Sequence, residues 1–306
     1  MTIGDGSRAG SASHLDSSSV LKNRANLRQA CEFVIDRALR RTDPAMAIIP
    51  GTVDAFIERI GEVRDGAIVY VRSTLLAPFF DRAFALIRKR FVLVTGGSDW
   101  ASPAIHRHTL DNPKIIRWFG ENCDLTLPHP KFEPIPLGVA DVHSPHGNQA
   151  VLMRLHSRLP PVVDKPLVAH SSFHLKISHP TRRQAYAAVR ELAGVSVQAR
   201  RAPPELLWIR HANHAFEISP SGAGPDCHRT WEALLLRTIP IVKSSTLDPL
   251  YRQFPVAIVK DWREITPATM ASWRNRFKDC FTLDMFTRLT RDHWVKRIRD
   301  AAGASA

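Results

Sequence analysis

Short apolar runs of strand length, each beside a stretch with helical spacing, constrain this chain more than any other feature of its 306 residues. Ala67-Ile68-Val69-Tyr70-Val71 and Phe91-Val92-Leu93-Val94-Thr95 lack polar alternation, so both faces of each run must be covered. That requirement predicts a parallel sheet with crossover helices. The pattern extends over the first half of the chain, through Met46 to Ile49, a helical Val53 to Ile60, Ala67 to Val71, a helical Leu75 to Arg88, Phe91 to Thr95, Lys114 to Trp118, and Glu133 to Val139. Ahead of it, Leu27 to Arg41 has helical spacing with basic residues near its end and stops at Thr42-Asp43-Pro44, which predicts a short helix.

The alternation restarts after Asp141 to Pro161, a connection containing His143, Pro145, His146 and Gly147 that predicts a hinge. Strands are expected at Leu167 to Ser171, Val195 to Val197, Ala215 to Ser219, Ile239 to Val242 and Val256 to Val259. Helices are expected over Thr181 to Leu192, Pro203 to Ala212 and Cys227 to Arg237, and after Thr266 and Leu283. A chain of this length fits two domains better than one. The expected fold class is α/β, with two Rossmann-like doubly wound lobes and a cleft between them. The expected boundaries are a disordered leader over 1–25, a first lobe over 26–150, a second lobe over 151–282, and a terminal helix and tail over 283–306.

No apolar run approaches the roughly 18 to 20 residues needed to cross a bilayer, and no apolar signal core follows Met1, so a cytoplasmic chain is expected. Cys31, Cys123, Cys227 and Cys280 are far apart and form no Cys-x-x-Cys pair, which suits reduced thiols. The net charge of +13 attracts polyanions, whether nucleic acid, an anionic membrane face or a phosphorylated substrate. His106-x-His108 and His143-x-x-His146 lack Cys or carboxylate partners at ligand spacing, so no metal site is assigned. A last helix is expected to carry Arg288, Arg291, Lys296, Arg297 and Arg299 opposite Phe286, Leu289, Trp294, Val295 and Ile298, packing its apolar face on a lobe and leaving its basic face for an anionic membrane.

The stretch richest in chemistry runs from Phe216 through Ser219-Pro220-Ser221-Gly222-Ala223-Gly224-Pro225-Asp226-Cys227 into His228-Arg229-Thr230-Trp231-Glu232. A strand ends in a loop of small residues, and a helix begins after Asp226, the expected N-cap. Gly222 and Gly224 permit backbone conformations and close approaches that a Cβ resists, and the amides at the helix start favour phosphate. Arg229 in the first turn offers a forked cationic donor, and Glu232 three residues on shares its face and suits ribose hydroxyls. An Arg/Glu pair at this spacing is by itself most often a surface ion pair; the position at the carboxyl end of a parallel strand is what raises its standing. Arg182 and Arg183 open another helix, where cations oppose the macrodipole unless an anion is near.

From Ser219-Pro220-Ser221-Gly222 through Asp226-x-x-Arg229-x-x-Glu232-Ala233 to Thr238-Ile239-Pro240-Ile241-Val242, the chain resembles the C-terminal motif of exostosin-like glycosyltransferases, over Phe216 to Trp262. Arg237-Thr238 stands where that family often has Gly-Cys, a departure expected to affect the turn more than the chemistry. The resemblance implies a GT-B glycosyltransferase that uses a nucleotide sugar, with UDP-sugar the first candidate, held in the second lobe by Arg229 and Glu232; Lys176, Arg183, Ser219, Ser221, Gly222, Gly224 and Asp226 are expected beside them from the loop, the helix starts and their charge. It further implies an acceptor-side first lobe and an inverting displacement with a first-lobe carboxylate such as Asp99 as general base; from the residues alone, Glu121 and His106 are the other candidates. The nucleotide sugar is substrate rather than cofactor, and protein cations take the place of a metal. The acceptor is expected to be a hydroxyl of a glycan or lipid-linked glycan. No nucleic acid is expected, because the basic residues are dispersed and no nucleic-acid module is present. The alternatives are a basic nucleic-acid-binding protein and a catalytically silent scaffold that binds a donor.

Overall fold

Two five-stranded sheets, each with every strand parallel to its neighbours, organise the described residues. The computed structural model describes residues 20, 27–36, 52–140, 148–173, 175, 180–198 and 202–303. The first sheet contains β1 (Phe33–Ile35), β2 (Ala67–Arg72), β3 (Phe91–Gly96), β4 (Ile115–Gly120) and β5 (Phe132–Pro134), in that spatial order. Successive side chains in a strand point to opposite faces, and both faces here are apolar. Phe33, Ile35, Val69, Val71 and Leu93 enter one core with Phe56 and Phe79, while Val34, Ile68, Tyr70, Val92 and Val94 enter another with Trp294 and Ile298.

The segment expected as a helix from Leu27 to Arg41 instead makes a single 3-10 turn at Arg28–Ala30 and then β1; residues 37–41 lie outside the described residues. Phe33-Val34-Ile35 is buried on both sides in a parallel edge pairing with β2, and that burial outweighs its helical spacing. Helix α1 (Val53–Glu58) is capped by Thr52, whose hydroxyl accepts from the Ala55 amide. The continuous helix expected over Leu75 to Arg88 is a succession of short turns from Ser73 to Leu86, including α2 (Leu76–Pro78). Pro78 accounts for the break, because its ring removes an amide and crowds the preceding turn. The expected strand at Met46 to Ile49 falls outside the described residues.

The second sheet contains β6 (Ala169–Ser171), β7 (Val195–Val197), β8 (Phe216–Ile218), β9 (Ile239–Lys243) and β10 (Ala257–Val259), in the order β10-β9-β8-β6-β7. Around it lie α3 (Gln149–His156), α4 (Pro180–Val189), α5 (Pro204–Ala212), α6 (His228–Leu235), α7 (Asp248–Tyr251) and α8 (Pro267–Phe277). The chain moves from β6 out to β7, then returns to the other side of β6 to lay down β8. This reversal creates a crevice at the carboxyl ends of β6 and β8, where open α/β sheets collect ligands. The first sheet has no such reversal among its described strands, and its second face is closed by the C-terminal helix.

The expected single last helix is two, α9 (Leu283–Thr287) and α10 (Arg291–Gly303), so Phe286 and Leu289 precede the helix that carries Trp294 and Ile298. α10 packs across β2, β3 and β4. Three of its four lysines and arginines meet carboxylates: Lys296 pairs with Asp300, Arg297 with Glu133 and Arg291 with Asp292. Val20, within the expected leader, is buried and bridges Thr290 in the link between α9 and α10. Replacing Ile298 by valine is expected to cost about 1 kcal/mol in a urea titration, because its side chain is fully buried against the first sheet. An unchanged midpoint would show that α10 is not part of that core. Among the described residues no helix is long and apolar enough to cross a membrane.

Candidate functional site

At the strand reversal, a cleft of about 320 Å³ lies between the loop after β8, helices α4, α5 and α6, and first-lobe residues Asp99, Leu137 and Ala140. The first turn of α6 faces it through His228 and Arg229. His228 Nδ1 lies 2.7 Å from the Gly138 carbonyl oxygen, which makes it the donor and ties the helix start to the first lobe. The opposite end of α6 is closed by amides of Arg237 and Thr238 donating to Leu234 and Ala233, with Arg237 in the left-handed region at φ 51°. This is the turn at which a glycine is usual, and here an arginine takes the strained conformation.

Asp226 is not the N-cap. Cys227 holds that position without a side-chain cap, and Asp226 lies one residue earlier, buried against the first lobe. Its Oδ1 accepts from the Cys227 amide and the Tyr251 hydroxyl, and its Oδ2 from the Leu137 amide and Trp231 Nε1, at 2.8–3.0 Å. Burial pushes its carboxyl up to about 6 against these four donors. Asp226 lines the cleft, and with both oxygens engaged by these four donors its carboxyl joins the lobes.

The glycines act by close approach rather than by unusual backbone angles, since neither Gly222 nor Gly224 has a positive φ. A Cβ on Gly222 would lie 2.7 Å from Arg182 Nη2, and one on Gly224 would lie 3.0 Å from the Asp99 carbonyl oxygen. Gly222 therefore admits a guanidinium, and Gly224 admits the first lobe.

Two arginines converge on the cleft. Arg182 on α4 donates through Nε to the Ser221 carbonyl and, among the described residues, has no carboxylate within ion-pair distance. Burial and the neighbouring Arg229 both hold its guanidinium below its ordinary value. Arg229 lies over the Phe173 ring, and its Nε is 3.7 Å from Glu217 Oε1, too long for a hydrogen bond. Adjacent residues on a helix point about 100° apart, so only one of Arg182 and Arg183 can face the cleft. The structure selects Arg182, and Arg183 is exposed and does not line the cleft, contrary to expectation.

Glu232 lines the cleft from the next turn of α6, with a carboxyl that burial pushes up to about 7 while a hydrogen bond from Trp208 and the charge of Arg229 oppose the rise. Asp99 is exposed on the facing wall. Ser219 and Ser221 do not line the cleft. The Ser219 hydroxyl is buried against Thr230 Oγ1 at 2.9 Å and Cys227 Sγ at 3.1 Å, and Ser221 contributes its carbonyl to Arg182. Lys176 lies outside the described residues. Glu121 is buried and accepts from the Gly97 amide, and His106 packs against Phe80, so neither reaches the cleft. Among the described residues no group of three His, Cys, Asp or Glu side chains is arranged to hold a metal ion.

Sequence reasoning missed the polar floor of the cleft. Ser172, which follows β6, lies 2.8 Å from His211 Nε2 on α5 and donates to Glu217 Oε1 at 2.7 Å. Glu217 is fully buried in the middle of β8, and burial pushes its carboxyl up to about 8, opposed by Arg229 and Ser172. The available signal was an acid between Phe216 and Ile218, at the centre of an otherwise apolar strand.

No protein-family profile matches the chain. No curated protein matches it either. Among solved structures, it is similar to an α,α-trehalose-phosphate synthase (UDP-forming) from Burkholderia vietnamiensis at 11% identity and a TM-score of 0.38, covering 83% of this chain and 75% of that one. It is also similar to an E. coli structure described as trehalose-6-phosphate bound with UDP-2-fluoro glucose, at 10% identity and a TM-score of 0.39, covering 83% and 72%. A GtfA/B complex gives 11% identity and a TM-score of 0.42, covering 84% of this chain and 62% of that one. Likenesses this slight carry no chemistry.

Proposed function

We propose that this chain is a glycosyltransferase of the GT-B type, taking a sugar from a nucleoside diphosphate donor to a hydroxyl of a glycan or glycolipid. The observation that carries the reading is the convergence of Arg182 and Arg229 on the cleft beside the first turn of α6, neither with a carboxylate at hydrogen-bond distance. Two half-buried cations this weakly compensated call for an anion, and a diphosphate supplies one with enough oxygens for both forks. The exostosin-like motif from Ser219 to Val242 supports the same placement.

In this reading the diphosphate lies against the arginines and the start of α6, Glu232 accepts from the ribose, and the arginines stabilise the charge that develops as the bond from sugar to diphosphate breaks. Asp99, on the facing wall, takes the proton of the acceptor hydroxyl, which gives inversion at the sugar carbon. No metal or cofactor is required by this scheme. The first lobe serves the acceptor, with the lobe boundary near residue 150 and a second one near 282.

Incubation with a panel of UDP- and GDP-sugars tests the reading, because slow release of the nucleoside diphosphate identifies both the activity and the donor. Asp99→Asn is expected to lower kcat by about 10²- to 10⁴-fold while UDP binding persists. Absence of binding and turnover across the panel would remove the transferase reading, and binding without turnover would favour a silent scaffold.

A further inference from the structure

One group in the cleft floor has no task in donor binding. Glu217 lies on β8 between His170, its register partner on β6, and Pro240 on β9. Its Oε1 receives one short side-chain hydrogen bond, from the Ser172 hydroxyl, and the Ser172 backbone also favours the ionised form, while His211 Nε2 at 3.5 Å and Arg229 Nε at 3.7 Å stand farther off. Its Oε2 has no hydrogen-bond partner among the described residues. An ionised carboxylate so placed is poorly compensated for the water it has lost, whereas the neutral acid fits the site. Burial raises the acid accordingly, to about 8, and burial with His170 and Arg229 keeps His211 a neutral imidazole. With the Ser172 hydroxyl donating to Glu217 Oε1, the neutral His211 donates from Nε2 to Ser172 Oγ, which orders both short contacts in one direction.

The geometry points to Glu217 as a positioning residue for Arg229: a neutral acid packed beneath the guanidinium, which holds it at the cleft wall without cancelling the charge that binds a nucleoside diphosphate. This rests on the donor reading above. Ionising Glu217 places a negative charge 3.7 Å from Arg229 Nε, where it competes with the ligand. Diphosphate affinity is therefore full below the Glu217 transition and falls as pH rises through about 8. The groups facing Glu217 are His170 and Ser172 from β6, His211 from α5, and Arg229 and Glu232 from α6; Pro240 from β9 is uncharged. Glu232 titrates near 7 and is largely ionised above that, so it contributes little to a change at higher pH.

The test is calorimetric titration with UDP alone, and with GDP alone as a second probe, from about pH 7.5 to about pH 9.5. The wild-type affinity is expected to fall about tenfold over this range, and the Glu217→Gln variant to show no such fall. Ser172→Ala, a smaller perturbation should Glu217→Gln fail to fold, is expected to move the fall to higher pH, because the Ser172 hydrogen bond holds the acid down. Parallel curves for wild type and Glu217→Gln, or an unmoved transition in Ser172→Ala, would overturn the role of Glu217 while leaving the donor reading intact. A wild-type chain that binds neither nucleotide at any pH would overturn the donor reading itself.

Discussion

Replacing Asp226 by alanine is expected to cost about 3–5 kcal/mol of stability, a large share of the total for a domain of ordinary stability. Its carboxyl value of about 6 leaves Asp226 ionised at neutral pH, with four donors on its two oxygens. Hydrogen bonds to a charged acceptor are each worth about 1.5–3 kcal/mol, and truncation leaves the Leu137 amide and Trp231 Nε1 buried, and the Cys227 amide half-buried, without this partner. The donors come from the first lobe, the loop, α6 and α7, so one side chain joins elements far apart in the chain. Its own amide donates to Asn122 Oδ1, which adds a further tie to the first lobe. The isosteric amide is informative as a second step: in Asp226→Asn an NH₂ group must replace one oxygen, and at Oδ2 it would meet two fixed N–H donors. It is expected to turn toward Tyr251, whose hydroxyl can rotate to accept, and to cost about 2 kcal/mol by losing the Cys227 amide. Urea titration of both variants measures this, and a cost below about 1 kcal/mol for the alanine would show that the four contacts do not hold the lobes together.

What was legible in the sequence were patterns with a fixed period. Strands β2, β3 and β9 announce themselves because burial on both faces forces an uninterrupted apolar run. The loop after β8 and Arg229 were legible because a small-residue loop leading into a helix has a stated physical use. Strand β1 was hidden because Phe33-Val34-Ile35 sits in a segment whose apolar residues also satisfy helical spacing, and only pairing with β2 decides between them. The choice between Arg182 and Arg183 depends on the rotation of α4 about its axis, which adjacent cations do not reveal. The role of Asp226 was misread for a related reason. Aspartate before a helix is an ordinary cap, and what removes it from that role is contact with Leu137 and Tyr251, 89 and 25 residues away. Glu217, Ser172 and His211 come from three elements with no common motif, so their meeting is a product of the strand reversal.

Removal of either cleft arginine is expected to weaken nucleoside diphosphate binding by about 10- to 100-fold, since a charge-assisted hydrogen bond contributes about 1.5–3 kcal/mol and tenfold is about 1.4. Arg182→Ala and Arg229→Ala are not expected to add simply. Burial first and Arg229 second hold the Arg182 guanidinium below its ordinary value, so loss of Arg229 relieves repulsion on Arg182, that single loss is partly offset, and the double variant should exceed the product of the singles. Lysine at either position restores charge without the planar fork and is expected to recover only part of the loss. Arg183→Ala serves as the control, because that residue is exposed and lies off the cleft although it neighbours Arg182 in sequence. Raising salt should weaken wild-type binding more than binding by the double variant, since screening acts on the charges that the variant lacks. Equal affinity in wild type, Arg182→Ala and Arg229→Ala would place the anion elsewhere, and a loss in Arg183→Ala matching that in Arg182→Ala would show that the orientation of α4 assigned to the cleft wall is wrong.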